Sequence, residues 1–338
     1  MTTAGSPPAH LLIVGSGSVG KRHARNLSEM GAAISVVDPR RDRREELGRE
    51  TAVTDGFDSL EAALAVGDYH GVVIASPTAF HVDQAAIAVA RDLPVLLEKP
   101  VATNLRAAQE LQVAVEAARA TPMLGYTWRW WPALQRVRQL VSTGSIGAVR
   151  HVRCVLSAHL ADWHPWEPYQ DFFMSSQELG GGALLDESHW IDLACWLFGT
   201  PDEVFARIER LSALEIDTDD NVDLWLGYRD GPRVWLHLDI HGRPHERSLT
   251  IAGERGTIRW SDAPNEVSVG TGVGDWQQEP FRGERNDMFM AVAEEFLEVV
   301  NGSKAPSCGI ADGIEVMRVI EAARRSQELG RVISLAAL

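Results

Sequence analysis

Apolar residues follow two rhythms along this chain, and the rhythm changes near residue 125. Up to about residue 121, the short apolar runs LLIV (11–14), ISVVD (34–38), HGVVIAS (70–76) and PVLLEK (94–99) alternate with stretches of helical periodicity such as AFHVDQAAIAVARD (79–92). That alternation predicts βαβ units, hence a mostly parallel sheet covered on both faces, with ligands at the carboxyl ends of its strands. Beyond residue 127 the spacing becomes period two, as in RHVRCVLSAH (150–159), NVDLWLGY (221–228) and RVWLHLDI (233–240), and all eleven tryptophans fall between Trp128 and Trp276. Period two predicts an antiparallel sheet that keeps one face on the core and offers the other to a substrate or a second subunit. From about residue 284, NDMFMAVAEEFLEVV and DGIEVMRVIEAARRSQELG return to helical spacing. The expectation is an α/β chain of two domains, 1–124 and 125–338, with the final helices (about 284–330) packing near the first.

The first apolar run leads directly into GSGSVG (15–20). Gly15 permits a tight turn, Gly17 lets backbone approach a pyrophosphate, and Gly20 lets helix and strand pack closely. Backbone N–H groups at the helix start, around Gly17, Ser18 and Val19, then face phosphates. The second run ends in Asp38, 18 residues past Gly20, where a carboxylate would hold a ribose 2′-hydroxyl. Together the two features point to a bound dinucleotide. Asp38 would repel a 2′-phosphate, which favours NAD, while Arg40 and Arg41 leave NADP open.

Composition narrows the partners. The 338 residues, 45% hydrophobic and 23% charged, suit a globular chain of about two domains. A formal net charge of −15 repels phosphate backbones, so nucleic acid and anionic membrane surfaces are not expected and small molecules are. No apolar stretch is long enough for a signal or membrane segment, which reads as a cytoplasmic protein. Cys154, Cys195 and Cys308 are odd in number and widely spaced, which predicts free thiols rather than a disulfide framework or zinc site.

Two further motifs carry chemistry. In Glu98-Lys99-Pro100, Lys99 stands at the end of a predicted strand, where an ammonium would bond a substrate oxygen and stabilise negative charge; a solvated strand-end lysine has the same local sequence. In GGGALLDESHWIDLACWLFG (180–199), Ile191, Ala194, Cys195 and Phe198 have helical spacing, and Asp186 and His189 lie three apart. One continuous helix would set that carboxylate and imidazole on one face, ready for proton transfer near neutral pH, although a half-buried histidine bonded to a nearby acid looks identical in sequence.

GSGSVGKRH (15–23), IASPTAFH (74–81), EKP (98–100) and GGGALLDxxH with Asp192 three beyond the histidine together resemble the Gfo/Idh/MocA family of NAD(P)-dependent oxidoreductases, from Leu11 to about Leu329. The resemblance implies a Rossmann domain, an α/β domain with a large, mostly antiparallel open sheet, and hydride transfer with sugars, cyclitols or their derivatives. It implies Lys99 as the catalytic lysine, His189 as the acid/base and Asp186 as its acidic partner. Cofactor contacts are expected from Gly15, Gly17, Ser18, Val19, Gly20, Asp38, Arg40, Ser76, Pro77, His81, Glu98 and Lys99. Many members space the aspartate and histidine by four residues; here the spacing is three. Two rivals come with the family: glycosidases that act through transient oxidation by a retained NAD, and regulators that bind dinucleotide without catalysis.

LADWHPWEPYQDFFMSS (160–176) and LEIDTDDNVDLWL (214–226) are similar to a subgroup associated with cell-surface or secondary-metabolite sugars. Trp163, Trp166 and Tyr169 offer flat apolar faces, and Asp162, His164 and Glu167 offer groups for hydroxyls, a mixture suited to a polyol or equally to an aromatic-rich subunit interface. With Lys99, Asp186 and His189, the expected substrate contacts are Trp163, His164, Tyr169 and Arg129; Arg129 would equally serve by contacting the cofactor or by pairing with a surface acid. His237, Asp239 and His241 share a strand face, but Gly242 and Pro244 end that strand before His245, so a polar face, not a metal site, is expected. A homo-oligomer through the open sheet completes the expectations.

Overall fold

A computed structural model describes residues 8–119, 122–163, 165 and 167–338. The chain forms two compact units. In the first, strands β1 (His10–Val14), β2 (Ala33–Val37), β3 (Val53–Phe57), β4 (Gly71–Ile74), β5 (Val95–Leu97) and β6 (Met123–Leu124) form a wholly parallel sheet in the order 3-2-1-4-5-6. Helices α1 (Ser18–Glu29), α2 (Arg41–Glu50), α3 (Leu60–Val66), α4 (His81–Val89) and α5 (Leu105–Glu116) lie between successive strands in sequence. The central strands carry continuous apolar sequence because both faces are covered: Leu11, Leu12, Ile13, Val72, Val73 and Ile74 are fully buried. Strand order reverses between β1 and β4, the switch point at which doubly wound sheets bind ligands.

The second unit begins with a 3-10 turn at Thr127–Trp130 and helix α6 (Pro132–Ser142). Its nine-stranded sheet has the order β14-β13-β12-β11-β7-β10-β9-β8-β15. The strands are β7 (Val149–Ser157), β8 (Glu203–Glu209), β9 (Asn221–Gly227), β10 (Arg233–Asp239), β11 (Glu246–Gly253), β12 (Thr257–Asp262), β13 (Asn265–Gly270), β14 (Trp276–Pro280) and β15 (Ile333–Ser334). Every neighbouring pair is antiparallel except β7 with β10. The period-two pattern has its physical origin here: Val222, Leu224, Leu226, Val234, Leu236 and Leu238 are buried, while Asp223, Trp225, Trp235 and His237 stand on the opposite, more exposed face. Between β7 and β8 come two short helices, α7 (Ala183–Asp186) and α8 (Ser188–Phe198).

The last two helices separate. Helix α9 (Arg285–Val300) belongs to the first unit, where it packs on α1. Asn26 and Asn286 exchange amide hydrogen bonds at 3.2 and 3.0 Å, and Phe296 and Val300 press on Gly71 of β4. Helix α10 (Ile310–Leu329) instead groups with the second unit from Asp312 onward, tied there by the Arg324 guanidinium to the Thr103 carbonyl at 2.7 Å.

Candidate active site

In the first unit the glycine loop is shaped by close contacts. Gly15 has φ +91°, and a Cβ on Gly20 would sit 1.8 Å from the Gly15 carbonyl oxygen, so the loop tolerates no side chain at Gly20. Gly17, by contrast, has nothing within 4 Å of where a Cβ would lie. It precedes the first turn of α1, which carries neither a side-chain cap nor an acid. Open space, uncapped N–H groups and the positive end of the helix dipole fit a pyrophosphate. Ser18 is exposed and Val19 half-exposed at this edge.

Asp38, 5% exposed at the end of β2, is held rigidly. Its Oδ2 accepts from the Ser16 N–H and hydroxyl, each at 2.8 Å, and its Oδ1 from the Arg40 N–H at 2.9 Å. The Arg40 guanidinium grips Asp42 at 2.6 Å, and Arg41 pairs with Glu45 at 2.7 Å. The Arg44 guanidinium donates to the Asp38 carbonyl. Ser16 and Arg44 were not singled out from sequence, although Ser16 sits inside the glycine motif.

The EKP segment follows β5, and two of the expected cofactor contacts around it have internal partners. The Glu98 carboxylate is buried, with Oε1 2.7 Å from Nε2 of the fully buried His23 on α1. His81 is likewise internal, with Nδ1 2.8 Å from the Pro100 carbonyl oxygen and Nε2 2.9 Å from that of Ser76. Burial lowers the His81 pKa, against those two hydrogen bonds. His81 thereby ties the backbone at Ser76 to that at Pro100. Ser76 donates its hydroxyl to Gln84 at 2.6 Å, Pro77 precedes the turn into α4, and Lys99 is half-buried between the buried Glu98 and Pro100.

In the second unit, the continuous helix expected across Asp186 and His189 is broken. Helix α7 ends at Asp186, Glu187 leaves helical geometry at φ −88°, ψ 18°, and α8 restarts at Ser188. The one-face argument therefore fails, and a turn sets the relation between the two residues. From Gly181 to Trp190 every residue is buried except Asp186 and His189, which are half-buried. Asp219 anchors this segment: its carbonyl accepts from the Ala183 N–H at 3.0 Å and its Oδ2 from the Leu184 N–H at 2.8 Å. A Cβ on Gly182, at φ +105°, would meet Asp219 Oδ1 at 2.5 Å, which explains the last glycine of the run. A cavity of about 500 Å³ lies against Gly180 and Gly181, lined also by Thr103, Gln177, Asp219 and Arg324.

Arg129 pairs with acids, the nearer one buried and not on the surface. Its Nε and one terminal nitrogen fork onto Asp192 at 3.0 and 2.6 Å, and the other terminal nitrogen reaches Asp312 at 3.0 Å, with Arg129 and Asp192 both buried. Burial raises the Asp192 pKa to about 6, against the adjacent guanidinium. Trp163 donates its indole N–H to the Ala158 carbonyl at 3.2 Å. The Tyr169 hydroxyl accepts from the Glu215 N–H at 3.2 Å, joining the two segments of the looser likeness. Asp162 is paired bidentately with Arg243 at 2.7 Å. His164 and Trp166 lie outside the described residues. On the exposed face of the sheet, His237 sits between Asp223 at 2.9 Å and Asp239 at 3.2 Å. The hydrogen bond to Asp239, then that to Asp223, raise its pKa to about 9 against burial. Among the described residues no cluster could hold a metal ion.

Two family models match: the oxidoreductase family NAD-binding Rossmann fold over residues 9–126 and the GFO/IDH/MocA C-terminal domain over residues 134–259. The chain belongs to the Gfo/Idh/MocA oxidoreductase family. It is 26% identical over 330 residues to the D-xylose 1-dehydrogenase (NADP(+)) 2 of Haloferax volcanii, covering 96% of this chain and 98% of that protein. It is 32% identical over 193 residues to the rhizopine catabolism protein MocA of Rhizobium meliloti, covering 55% and 56%. The fold is also that of the WlbA dehydrogenase from Bordetella pertussis, crystallised with NADH and UDP-GlcNAcA, at a TM-score of 0.81 and 23% identity over 97% and 98% of the two chains. Family membership makes this chain an oxidoreductase with an NAD-binding Rossmann domain. Among the described residues no helix is long and apolar enough to cross a membrane.

Proposed function

We propose that this chain is an NAD-preferring dehydrogenase that oxidises a secondary hydroxyl of a sugar, aminosugar, cyclitol or nucleotide sugar, or reduces the matching ketone. One observation supports this best: in a segment otherwise buried, Asp186 and His189 alone keep partial exposure, and they are the motif residues the family uses. The chemistry supplied by bound NAD is acceptance of a hydride. In the oxidation direction His189 takes the hydroxyl proton, the Lys99 ammonium hydrogen-bonds the same oxygen and stabilises its developing charge, and Asp186 orients His189. The substrate class is inferred from the relatives named for xylose, rhizopine and a nucleotide sugar, and Trp163 and Tyr169 supply flat faces for such a ring. Preference for NAD rests on the fixed Asp38 carboxylate, with Arg40 and Arg41 both paired to acids. A second copy covers the outward sheet face, where Phe205 and Trp225 meet at 5.5 Å and Trp225 is 44% exposed.

The test is a screen of aldoses, aminosugars, cyclitols and nucleotide sugars with NAD⁺, read as NADH formed per product. Stoichiometric NADH supports the dehydrogenase. Substrate cleavage with no net NADH and a cofactor that survives purification would replace it with the retained-NAD glycosidase.

A further inference from the structure

Helix α8 is gripped at two points on one face by the 3-10 turn at Thr127–Trp130. His189 and Asp192, three residues apart, share that face. Arg129 forks onto Asp192, and the neighbouring Trp128 lies flat on the His189 ring, with ring centroids 5.1 Å apart and planes only 5° from parallel. Trp128 is itself fixed from its edges. Trp190 meets it at 4.8 Å and 82°, Trp131 at 6.2 Å and 82°, and Trp260 at 6.2 Å and 62°. Trp131 and Trp260 also touch, at 5.3 Å, and Trp260 is 1% exposed. Four indoles from the turn, the start of α6, α8 and β12 thus form a rigid wall with one imidazole against it.

We propose that Trp128 is a positioning residue for the reaction: it sets the plane of the His189 imidazole, and the surrounding tryptophans keep that plane from drifting. The inference rests on His189 being the acid/base proposed above. The physical reason lies in the torsions of histidine. Its second side-chain torsion is broad, so a half-buried imidazole on a helix can swing its nitrogens away from a substrate oxygen unless something fixes the ring. A stacked indole removes that freedom through an apolar face that makes no competing hydrogen bond with the ring nitrogens. The arrangement also accounts for Trp128 being 6% exposed in a turn whose next residue, Arg129, is committed to an ion pair: the turn holds both halves of one fixture.

The test compares Trp128→Leu, Trp128→Phe and His189→Asn in the full chain, in two measurements. The first is the NMR signals of the histidine ring carbons and protons, with His189→Asn identifying those of His189 and no substrate required. Loss of the indole face in Trp128→Leu should move the His189 ring protons downfield and broaden them, with Trp128→Phe between. The second is turnover of the best substrate from the screen: Trp128→Leu should lower kcat by about 10- to 100-fold, the cost of a misplaced catalytic group, with KM and the NADH dissociation constant within about twofold. In the His189→Asn background Trp128→Leu should add no further loss, whereas a merely structural residue would add its own. His189 signals that do not move in Trp128→Leu, or an additive loss in the double variant, overturn the inference while leaving His189 as acid/base. If His189→Asn alone keeps normal turnover, the reading of His189 fails, and the ring signals still decide whether Trp128 fixes the imidazole. If Trp128→Leu does not fold, the smaller shift expected in Trp128→Phe carries the test, and signals identical to those of the parent overturn it.

Discussion

His23 Nε2 and Glu98 Oε1 meet at 2.7 Å with the histidine fully buried, tying the first helix after the glycine loop to the residue that precedes Lys99. The pair links the helix that follows the glycine loop to the strand end carrying Lys99. His23→Ala leaves the Glu98 carboxylate buried without that partner, which costs about 1–3 kcal/mol. The unfolding free energy from urea titration should fall by that amount, through a lower midpoint with the slope unchanged, and Glu98→Gln, which keeps a hydrogen bond, should lose less than Glu98→Ala. Equal losses in the two Glu98 variants would argue that the contact is packing alone.

Asp38 should decide between the two nicotinamide cofactors. Its carboxylate is locked by Ser16 and the Arg40 N–H, so it cannot turn away from a 2′-phosphate. Asp38→Ala should lower the ratio of kcat/KM for NAD over NADP by about tenfold or more, the ~1.4 kcal/mol of a single charged contact. Steady-state kinetics with both cofactors checks this, and a wild-type preference for NADP would contradict it.

The buried Arg129–Asp192 pair should be far more costly to break than to remove. Arg129→Ala leaves Asp192, 1% exposed, without its guanidinium and should destabilise the chain by about 3–5 kcal/mol, whereas Arg129→Ala with Asp192→Ala should lose less than the two single changes added together. Guanidinium chloride unfolding of the three variants gives the coupling. Full additivity would mean that the fork contributes nothing.

His237 should make stability fall on the alkaline side. Its folded pKa, raised to about 9 by Asp239 and Asp223, lies above its ordinary value of about 6.5. The contribution is therefore fully present below about pH 6.5 and is lost as pH rises through about 9. Melting temperature compared between the parent and His237→Gln should show a lead for the parent at about pH 6 that closes by about pH 10. A lead that stays constant would remove the ion pairs as its cause.

Sequence carried the local features and missed those that depend on contacts between distant residues. Strands β1, β2, β4 and β5 are legible because their apolar runs are continuous, and the glycine loop because Gly15, Gly17 and Gly20 each answer a requirement within six residues. The His23–Glu98 pair spans 75 positions, and nothing in either local sequence announces the other. The break at Glu187 was hidden because the apolar spacing continues through it; the buried turn is stabilised by Asp219, 35 positions from Leu184. His81 carried a motif position and Arg129 an expected contact, but neither says which acceptors surround a ring or guanidinium. The indole wall draws on Trp128, Trp131, Trp190 and Trp260, which only the fold assembles.

The central claim is that Lys99 and His189 perform chemistry while the glycine loop and Asp38 bind cofactor. The most direct test is a paired measurement of NADH affinity and substrate turnover in Lys99→Ala and His189→Ala. The account predicts NADH dissociation constants close to the parent's and turnover reduced by about 10²- to 10⁴-fold in each. Near-parental turnover in either variant, with cofactor bound, would contradict it.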